Sequence, residues 1–187
     1  MKKWALIVFA ALAGCSSTEQ STQLYLLPQA ETVQNEVAQP SKPLLVVRNI
    51  DIADYLNESS LVYRTSDTQV VKAKYNRWAE SLSEQLNQRI VNDLRHKQTK
   101  YWPVKMSSVV KQTEQAKLQL NLQRFNGSYT GNAELSGVWS MIDGQGRVVY
   151  SQPFNLTVPL QEEGYASLVE ALSQGVDQLT TKIADTL

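Results

Sequence analysis

Apolar and polar side chains alternate most clearly in the second half of the chain. The leucines of segment 118–123 occupy every second position, which predicts a half-buried strand. The alternation changes phase at Arg124, so we expect a β-bulge there. Turn signals at 130–132 and 143–146 separate two further alternating segments, and apolar residues recur at helical spacing from about Tyr165. This half therefore predicts three strands in a meander, followed by a helix.

The first half carries a similar but less regular pattern. The continuous apolar run within 44–50 is typical of a strand buried on both faces. Two shorter strands are predicted at 60–65 and 69–73, joined by a turn. Apolar residues then recur every fourth position from Trp78 to Leu94, and Asn76 is a suitable cap for a helix that begins there.

The order of these elements predicts the fold class. Two meanders, each followed by a helix, indicate an α+β domain with a mainly antiparallel sheet and two helices packed on one face. We expect this single domain to span 44–187. Trp78 and Trp139 fall on apolar stripes, and we expect both in the core.

The amino terminus has the pattern of a processing signal. Lys2 and Lys3 precede an unbroken apolar run over 4–13, which is about half of what a membrane-spanning helix needs. The run ends in Leu12-Ala13-Gly14-Cys15, which matches the bacterial lipobox, in which the cysteine thiol is acylated before cleavage. An ordinary secretory signal with an incidental cysteine is the alternative. We predict a signal peptide over 1–14 and lipidation of Cys15.

A polar segment separates the predicted anchor from the domain. Residues 15–43 form a tether rich in Ser, Thr, Gln, Glu and Pro. The apolar island 24–28 interrupts it and predicts a short edge strand docked on the domain. The free stretch 16–23 reaches at most about 28 Å when extended. Ser16 follows the lipidated position, and by the sorting rule of enteric-type bacteria a residue other than Asp favours the outer membrane, with the domain on its periplasmic face.

Composition excludes several classes of function. The 18 Lys and Arg balance the 18 Asp and Glu, so a broad surface for nucleic-acid phosphates is not expected. One Cys and one His cannot build a closed zinc site or an internal disulfide. His96 lies at a predicted helix end, where its charge suits the helix dipole. The sequence has no P-loop and no G-x-S-x-G motif. We expect no enzyme activity, no cofactor and no metal.

Two tyrosines are candidates for binding a partner. Tyr55 and Tyr63 lie near the ends of predicted strands, and tyrosine is enriched where protein surfaces meet. A plain structural role for both side chains is the alternative.

Several short motifs in this chain resemble the ABC-type transport auxiliary lipoproteins. The most specific is the run Phe-Asn-Gly-Ser-Tyr-Thr-Gly at 125–131. The others that carry the resemblance are the lipobox at Cys15, Tyr25-Leu26-Leu27-Pro28, Asp54-Tyr55-Leu56, Val62-Tyr63, Trp78-Ala79, Leu135-Ser136-Gly137 and Trp139.

The resemblance implies a role in lipid transport between two membranes. It implies an outer-membrane lipoprotein that docks the tunnel of a periplasmic MCE protein to the outer membrane, with an inner-membrane protein as an indirect partner. It also implies a ring-shaped homo-oligomer. The alternative is a periplasmic carrier lipoprotein that holds an acyl chain between its sheet and helices. An envelope hydrolase has little support, because no nucleophile has a visible base partner.

Overall fold

The computed structural model describes residues 21–29, 41–108, 110 and 114–187. The predicted signal peptide, Cys15 and most of the tether lie outside these residues. The elements in chain order are β1 (Gln23–Tyr25), β2 (Leu44–Val47), β3 (Asp51–Ile52), a short 3₁₀ helix (Asp54–Leu56), β4 (Ser60–Arg64), β5 (Val70–Trp78), α1 (Leu82–Lys97), β6 (Trp102–Lys105), β7 (Ala116–Ser128), β8 (Asn132–Ile142), β9 (Val148–Pro159) and α2 (Tyr165–Thr186).

The meander predicted for the second half is confirmed. Strands β7, β8 and β9 pair antiparallel along nearly their whole lengths. The register of β7 against β8 shifts between Leu122 and Arg124, which is the bulge that the change of phase predicts. Gly131 in the β7–β8 turn and Gly146 in the β8–β9 turn have positive φ angles, a backbone conformation that glycine adopts without strain.

The α+β class is confirmed, but the expectation of a mainly antiparallel sheet is wrong. The sheet is mixed: of the eight strand pairings among the described residues, five are parallel. Strands β2, β3 and β4 follow one another along a single edge of β7, and all three run parallel to it. Each is too short to cover a 13-residue strand alone. The first half of the chain was predicted to form an antiparallel meander, but β2, β3 and β4 instead lie one after another along β7.

The first helix begins later than the sequence predicts. Its periodicity starts at Trp78, yet α1 begins at Leu82. Trp78 ends β5 instead, in register with Tyr25 of β1, and its N–H donates to the carbonyl of Ser59 at 2.6 Å. In β5, Trp78 has neighbours on both sides, so more of its backbone groups are hydrogen-bonded than in the first turn of a helix, where the N–H groups lack partners within the helix. The sequence-based interpretation also missed β6, which pairs parallel to β2.

The two helices contact each other; α1 packs against β2 and β6, and α2 packs against β7, β8 and β9. Gly175 in α2 lies so close to Leu135 of β8 that a Cβ atom there would meet the leucine side chain. Trp78 and Trp139 are buried, as expected. The core between sheet and helices is closely packed, and its largest fully buried side chains include Trp139, Phe125, Leu27, Leu45, Leu86, Ile90, Leu135 and Leu168.

A buried polar cluster joins the two helices. Arg89 of α1 donates to Asp93 one turn further on, at 2.7 Å, and to Ser173 of α2, at 2.8 Å. Thr180 of α2 donates to the second carboxylate oxygen of Asp93 at 2.8 Å. Because each buried charge has a partner of the opposite charge or a hydroxyl group, the cluster fixes the helices relative to each other.

The same helix fastens the segment that follows β1. The N–H of Leu27 donates to Gln85 of α1 at 2.7 Å, and Arg89 donates to the carbonyl of Pro28. The side chain of Leu27 is buried in the core. The apolar island of the tether is thus held by backbone pairing of β1, by two polar contacts and by one buried leucine.

Candidate functional site

An open groove lies at the end of the sheet where β4, the β7–β8 turn and the start of α2 meet. Its volume is about 650 Å³, within the range of ligand and peptide sites. Its walls combine aromatic, aliphatic and acidic side chains: Tyr63, Tyr129, Leu160, Glu163, Tyr165 and Leu168. We call this surface the Tyr63 groove.

The position of Tyr63 depends on a glycine in the neighbouring strand. Tyr63 of β4 pairs with Gly127 of β7, and a Cβ atom on Gly127 would lie 2.5 Å from the tyrosine ring. The same Cβ would be 3.1 Å from Leu168 of α2, so this side of β7 faces the helices. Glycine at 127 therefore allows the ring of Tyr63 to lie against the strand at the groove.

A charged network lies on the opposite face of the same strands. Arg64, next to Tyr63 in β4, donates from Nε and Nη2 to the two carboxylate oxygens of Glu134, at 3.1 and 2.6 Å. Such a two-point contact fixes both groups more firmly than a single hydrogen bond. Both side chains are largely buried, and Arg124 lies 3.9 Å from the same carboxylate.

This network extends to the rim of the groove through Asp67. Arg64 donates to Asp67 at 3.1 Å, and Tyr129 donates its hydroxyl to the same oxygen at 2.9 Å. These hydrogen bonds, the one from Tyr129 foremost, hold the pKa of Asp67 below its ordinary value. The hydrogen bond to Asp67 in turn raises the pKa of Tyr129. The guanidinium of Arg64 also lies 5.4 Å from the ring centroid of Tyr129, so Tyr129 is held on the rim by two contacts.

Tyr55 joins the network from its other side. Its hydroxyl donates to the carbonyl of Gln123 at 2.9 Å and lies 3.2 Å from Oδ1 of Asn126. Burial raises the pKa of Tyr55 above its ordinary value. Asn126 is buried and donates to the carbonyl of Gly127 at 2.9 Å. The hydroxyl of Tyr55 thus contacts two residues of β7 on this face of the sheet.

The structure does not bring the two predicted partner-binding residues together. Tyr63 lies in the groove on the helix side of β7, whereas Tyr55 lies on the opposite face. A role for either in binding a partner stays a prediction. Sequence reasoning missed Arg64 and Glu134, which are 70 positions apart. The available signal was the run 125–131, because this motif supplies residues to both the groove and the network.

The ion pair predicts how stability responds to acid. Burial alone would raise the pKa of Glu134, but hydrogen bonds from Arg64 and Ser128 outweigh it and hold the pKa below its ordinary 4.5. The folded state therefore gains stability from ionised Glu134 at higher pH and loses it as the pH falls below that value. We expect Glu134→Gln to lose less stability than the parent protein on acidification, measured by urea unfolding across that range.

Arg64→Gln is the partner variant for this experiment. Because it removes the main donor to Glu134, it should also reduce the loss of stability in acid. Equal acid sensitivity of the parent protein and both variants would contradict a role for this ion pair.

The described part of the chain offers no obvious metal centre or membrane-spanning helix. Within residues 21–29, 41–108, 110 and 114–187, no three His, Cys, Asp or Glu side chains are grouped so that they could hold a metal ion. Over the same ranges, neither helix combines the length and the apolar composition needed to cross a bilayer.

Comparison with known proteins gives the class to which the chain belongs. The chain belongs to the family of ABC-type transport auxiliary lipoprotein components, whose family model matches residues 25–184. This family is a transport auxiliary class and not an enzyme class. The resemblance drawn from the short motifs is thereby confirmed.

Within the family, the chain is similar to intermembrane transport lipoprotein PqiC. It is 34% identical to PqiC of Escherichia coli K12 over 185 residues, which cover 98% of this chain and 96% of the relative. The PqiC of Shigella flexneri matches equally well. The match to both proteins extends along almost the whole of each chain.

Two solved structures share the fold. A crystal structure of an uncharacterized protein superposes with a TM-score of 0.73 at 29% identity, covering 89% of this chain and 98% of that one. A Xanthomonas campestris protein superposes with a TM-score of 0.68 at 20% identity, covering 86% and 92% of the two chains. The second match supports the fold alone.

Proposed function

We propose that this chain is an outer-membrane lipoprotein of a PqiABC-type system that moves lipids between membranes. In this proposal it docks the periplasmic tunnel of a PqiB-like MCE protein to the outer membrane and so supports envelope integrity. A PqiA-like inner-membrane protein is an indirect partner. The observation that carries the proposal is the 34% identity to PqiC over 98% of the chain, because this match includes the amino-terminal region as well as the domain.

The way the tether joins the domain suits a docking role. The free tether after Cys15 is short, and its distal end is fastened through β1 and through the contacts of Gln85 and Arg89 with the segment 27–28. Load on the anchor would therefore reach the helix pair directly. A domain joined in this way stays close to the membrane that its acyl chains enter.

The Tyr63 groove is the surface that we assign to the MCE partner. Its tyrosines offer rigid aromatic area with a polar edge, which is common at protein interfaces. The network of Arg64, Asp67 and Glu134 fixes the rim from behind. A rim that is ordered before binding loses less entropy when the partner docks.

We also propose that the protein assembles into a homo-oligomeric ring. Closed rotational symmetry would place identical grooves around a central axis, which suits a collar at the end of a tubular partner. Native mass measurement of the lipid-free protein tests this part of the proposal. A ring gives a single multiple of the subunit mass, whereas a monomer at all concentrations would contradict the ring.

The alternative is a carrier that holds an acyl chain between sheet and helices. The Tyr63 groove has the volume for part of a lipid. However, it is open to solvent, and the interface between sheet and helices is filled by buried side chains such as Leu135 and Leu172. This packing favours docking over carriage. Phospholipid retained at one molecule per chain through purification would favour the carrier.

The anchor is tested by Cys15→Ala. The variant has no thiol to acylate, and because acylation precedes cleavage it keeps the apolar run 4–13. We therefore expect it to incorporate no labelled palmitate and to keep the mass of the uncleaved chain. Sucrose-gradient separation of inner and outer membranes should place the parent protein in the outer membrane. Incorporation of labelled palmitate by the variant would contradict lipidation at Cys15.

Capture by a PqiB-like MCE protein tests docking independently of the anchor. Both the parent protein and Cys15→Ala should bind the immobilised partner, because the groove belongs to the folded domain. Tyr129→Ala on the groove rim should weaken capture, while Tyr150→Ala, a partly exposed tyrosine on β9 outside the groove, should not. Failure of both the parent protein and Cys15→Ala to bind would overturn the docking role.

A further inference from the structure

Two leucines next to the tether point away from the core. Along β1 and the residues after it, Tyr25 and Leu27 pack inward, whereas Leu24 and Leu26 are 65% and 58% exposed. A single exposed leucine is ordinary. Two on the same side of a segment fastened to the domain form a small apolar ridge, which we call the β1 ridge.

Uncompensated positive charge lies beside this ridge. Leu24 pairs in register with Arg77 of β5, so the two side chains share a face of the sheet. Arg77 is exposed and forms no ion pair with any other described residue. An apolar ridge beside an exposed arginine has the chemistry of a surface that meets phospholipid.

The chain length brings this ridge close to the predicted anchor. Eight residues, 16–23, separate Cys15 from Leu24 and span at most about 28 Å. The contact of Leu27 with Gln85 prevents the ridge from separating from the domain. A membrane held this near is present at a high effective concentration, so even a weak contact would be populated.

We propose that the β1 ridge is a second membrane contact of this protein. Leu24 and Leu26 enter the interfacial layer of the phospholipid bilayer, and Arg77 binds headgroup phosphate. This contact orients the domain on the membrane, a property that the acyl anchor alone does not provide. The proposal rests on the lipidated Cys15 of the proposed function and adds to it the side of the domain that faces the lipid.

Fluorescence of one introduced tryptophan tests the contact. The tryptophans of the described domain, at 78, 102 and 139, are all buried, so Leu24→Trp adds an exposed reporter. Val148→Trp is the matched control, because Val148 is 62% exposed and lies on β9, which does not pair with β1 or β5. Both lipidated full-length mature proteins are reconstituted into vesicles of phosphatidylethanolamine and phosphatidylglycerol with brominated acyl chains.

We expect the emission of Leu24→Trp to shift to the blue and to be quenched several-fold more than that of Val148→Trp. Adding Arg77→Gln to Leu24→Trp should reduce the quenching in vesicles with phosphatidylglycerol. Equal quenching of the two reporters, or none of either, would overturn the ridge as a lipid contact. A blue shift that requires the MCE partner and not the vesicles would make the ridge a protein interface and overturn the proposal as well.

Vesicle flotation separates this inference from the function on which it rests. Protein that floats with the vesicles but shows no selective quenching overturns the β1 ridge alone. Protein that fails to float overturns the anchor, and with it both proposals.

Discussion

Replacing Arg89 with alanine should lower the free energy of unfolding by about 3–5 kcal/mol. Arg89 is 7% exposed and its partner Asp93 is fully buried. Truncation would leave the carboxylate of Asp93 with Thr180 as its remaining side-chain donor in the cluster. It would also remove donors from Ser173 and from the carbonyl of Pro28. Urea unfolding of the lipid-free mature chain, expressed without residues 1–15, measures the loss.

Arg147→Ala is the matched control for this variant. Arg147 and Asp143 form an ion pair at the same spacing along the chain, but the arginine is 76% exposed. Exposed pairs contribute about 0–1 kcal/mol, so the control should unfold almost like the parent protein. Equal losses in the two variants would show that the helix cluster contributes nothing through its burial.

A double-mutant cycle of Arg89 and Asp93 measures how strongly the two side chains stabilise the fold as a pair. If the two residues act as a pair, the combined loss in Arg89→Ala/Asp93→Ala is smaller than the sum of the single losses.

The Arg89→Ala variant also tests how the amino-terminal segment is held. Losing Arg89 frees the carbonyl of Pro28, so limited proteolysis near that residue should become faster in Arg89→Ala and remain slow in Arg147→Ala.

Gly137→Ala should destabilise the protein by about 2–3 kcal/mol, because the site has no room for a methyl group. Gly137 of β8 pairs with Leu122, beside the bulge of β7. An added Cβ atom would overlap the backbone carbonyl of Asn121 and lie 3.1 Å from the Cα of Leu122. The overlapping group is backbone in the centre of the sheet, so it cannot rotate away as a side chain could.

Gly131→Ala provides the comparison for this substitution. Gly131 has a φ angle of 78° and no atoms within 4 Å of an added Cβ, so its cost is conformational and amounts to about 1 kcal/mol. Thermal unfolding of both variants should rank Gly137→Ala as the more destabilised. The reverse order would mean that β7 and β8 adjust freely at the bulge.

The parts of the fold that sequence predicted well depend on neighbouring residues. The alternation in 118–123 and the two glycine turns place β7, β8 and β9 in order, because each strand pairs with the next along the chain. The apolar stripe of α1 was equally clear from Leu82 onward. Only its beginning was wrong, since the competing partner of Trp78 is Tyr25, more than fifty positions away.

The candidate site also divides into features that nearby residues predict and features that depend on distant residues. The run 125–131 was singled out as a motif, and its residues do lie at the groove and the network. Nothing in the pattern of Arg64 or Glu134 marks them as partners, because the ion pair exists only once β4 and β8 lie on either side of β7. Tyr55 and Tyr63 were each predicted as candidates for binding a partner, and they lie on opposite faces of β7.

The sequence by itself determined the α+β class and the resemblance to a transport auxiliary family, whereas the lipidation of Cys15 and the short polar tether stay predictions. These features depend on the order and spacing of residues that are close together in the chain, so the sequence alone is enough to predict them. The tertiary structure decided the parallel pairing of β2, β3 and β4 along β7, the groove beside Tyr63 and the exposed ridge of Leu24 and Leu26 next to Arg77. Each of these depends on which distant strands become neighbours, and that choice follows from burying one common core.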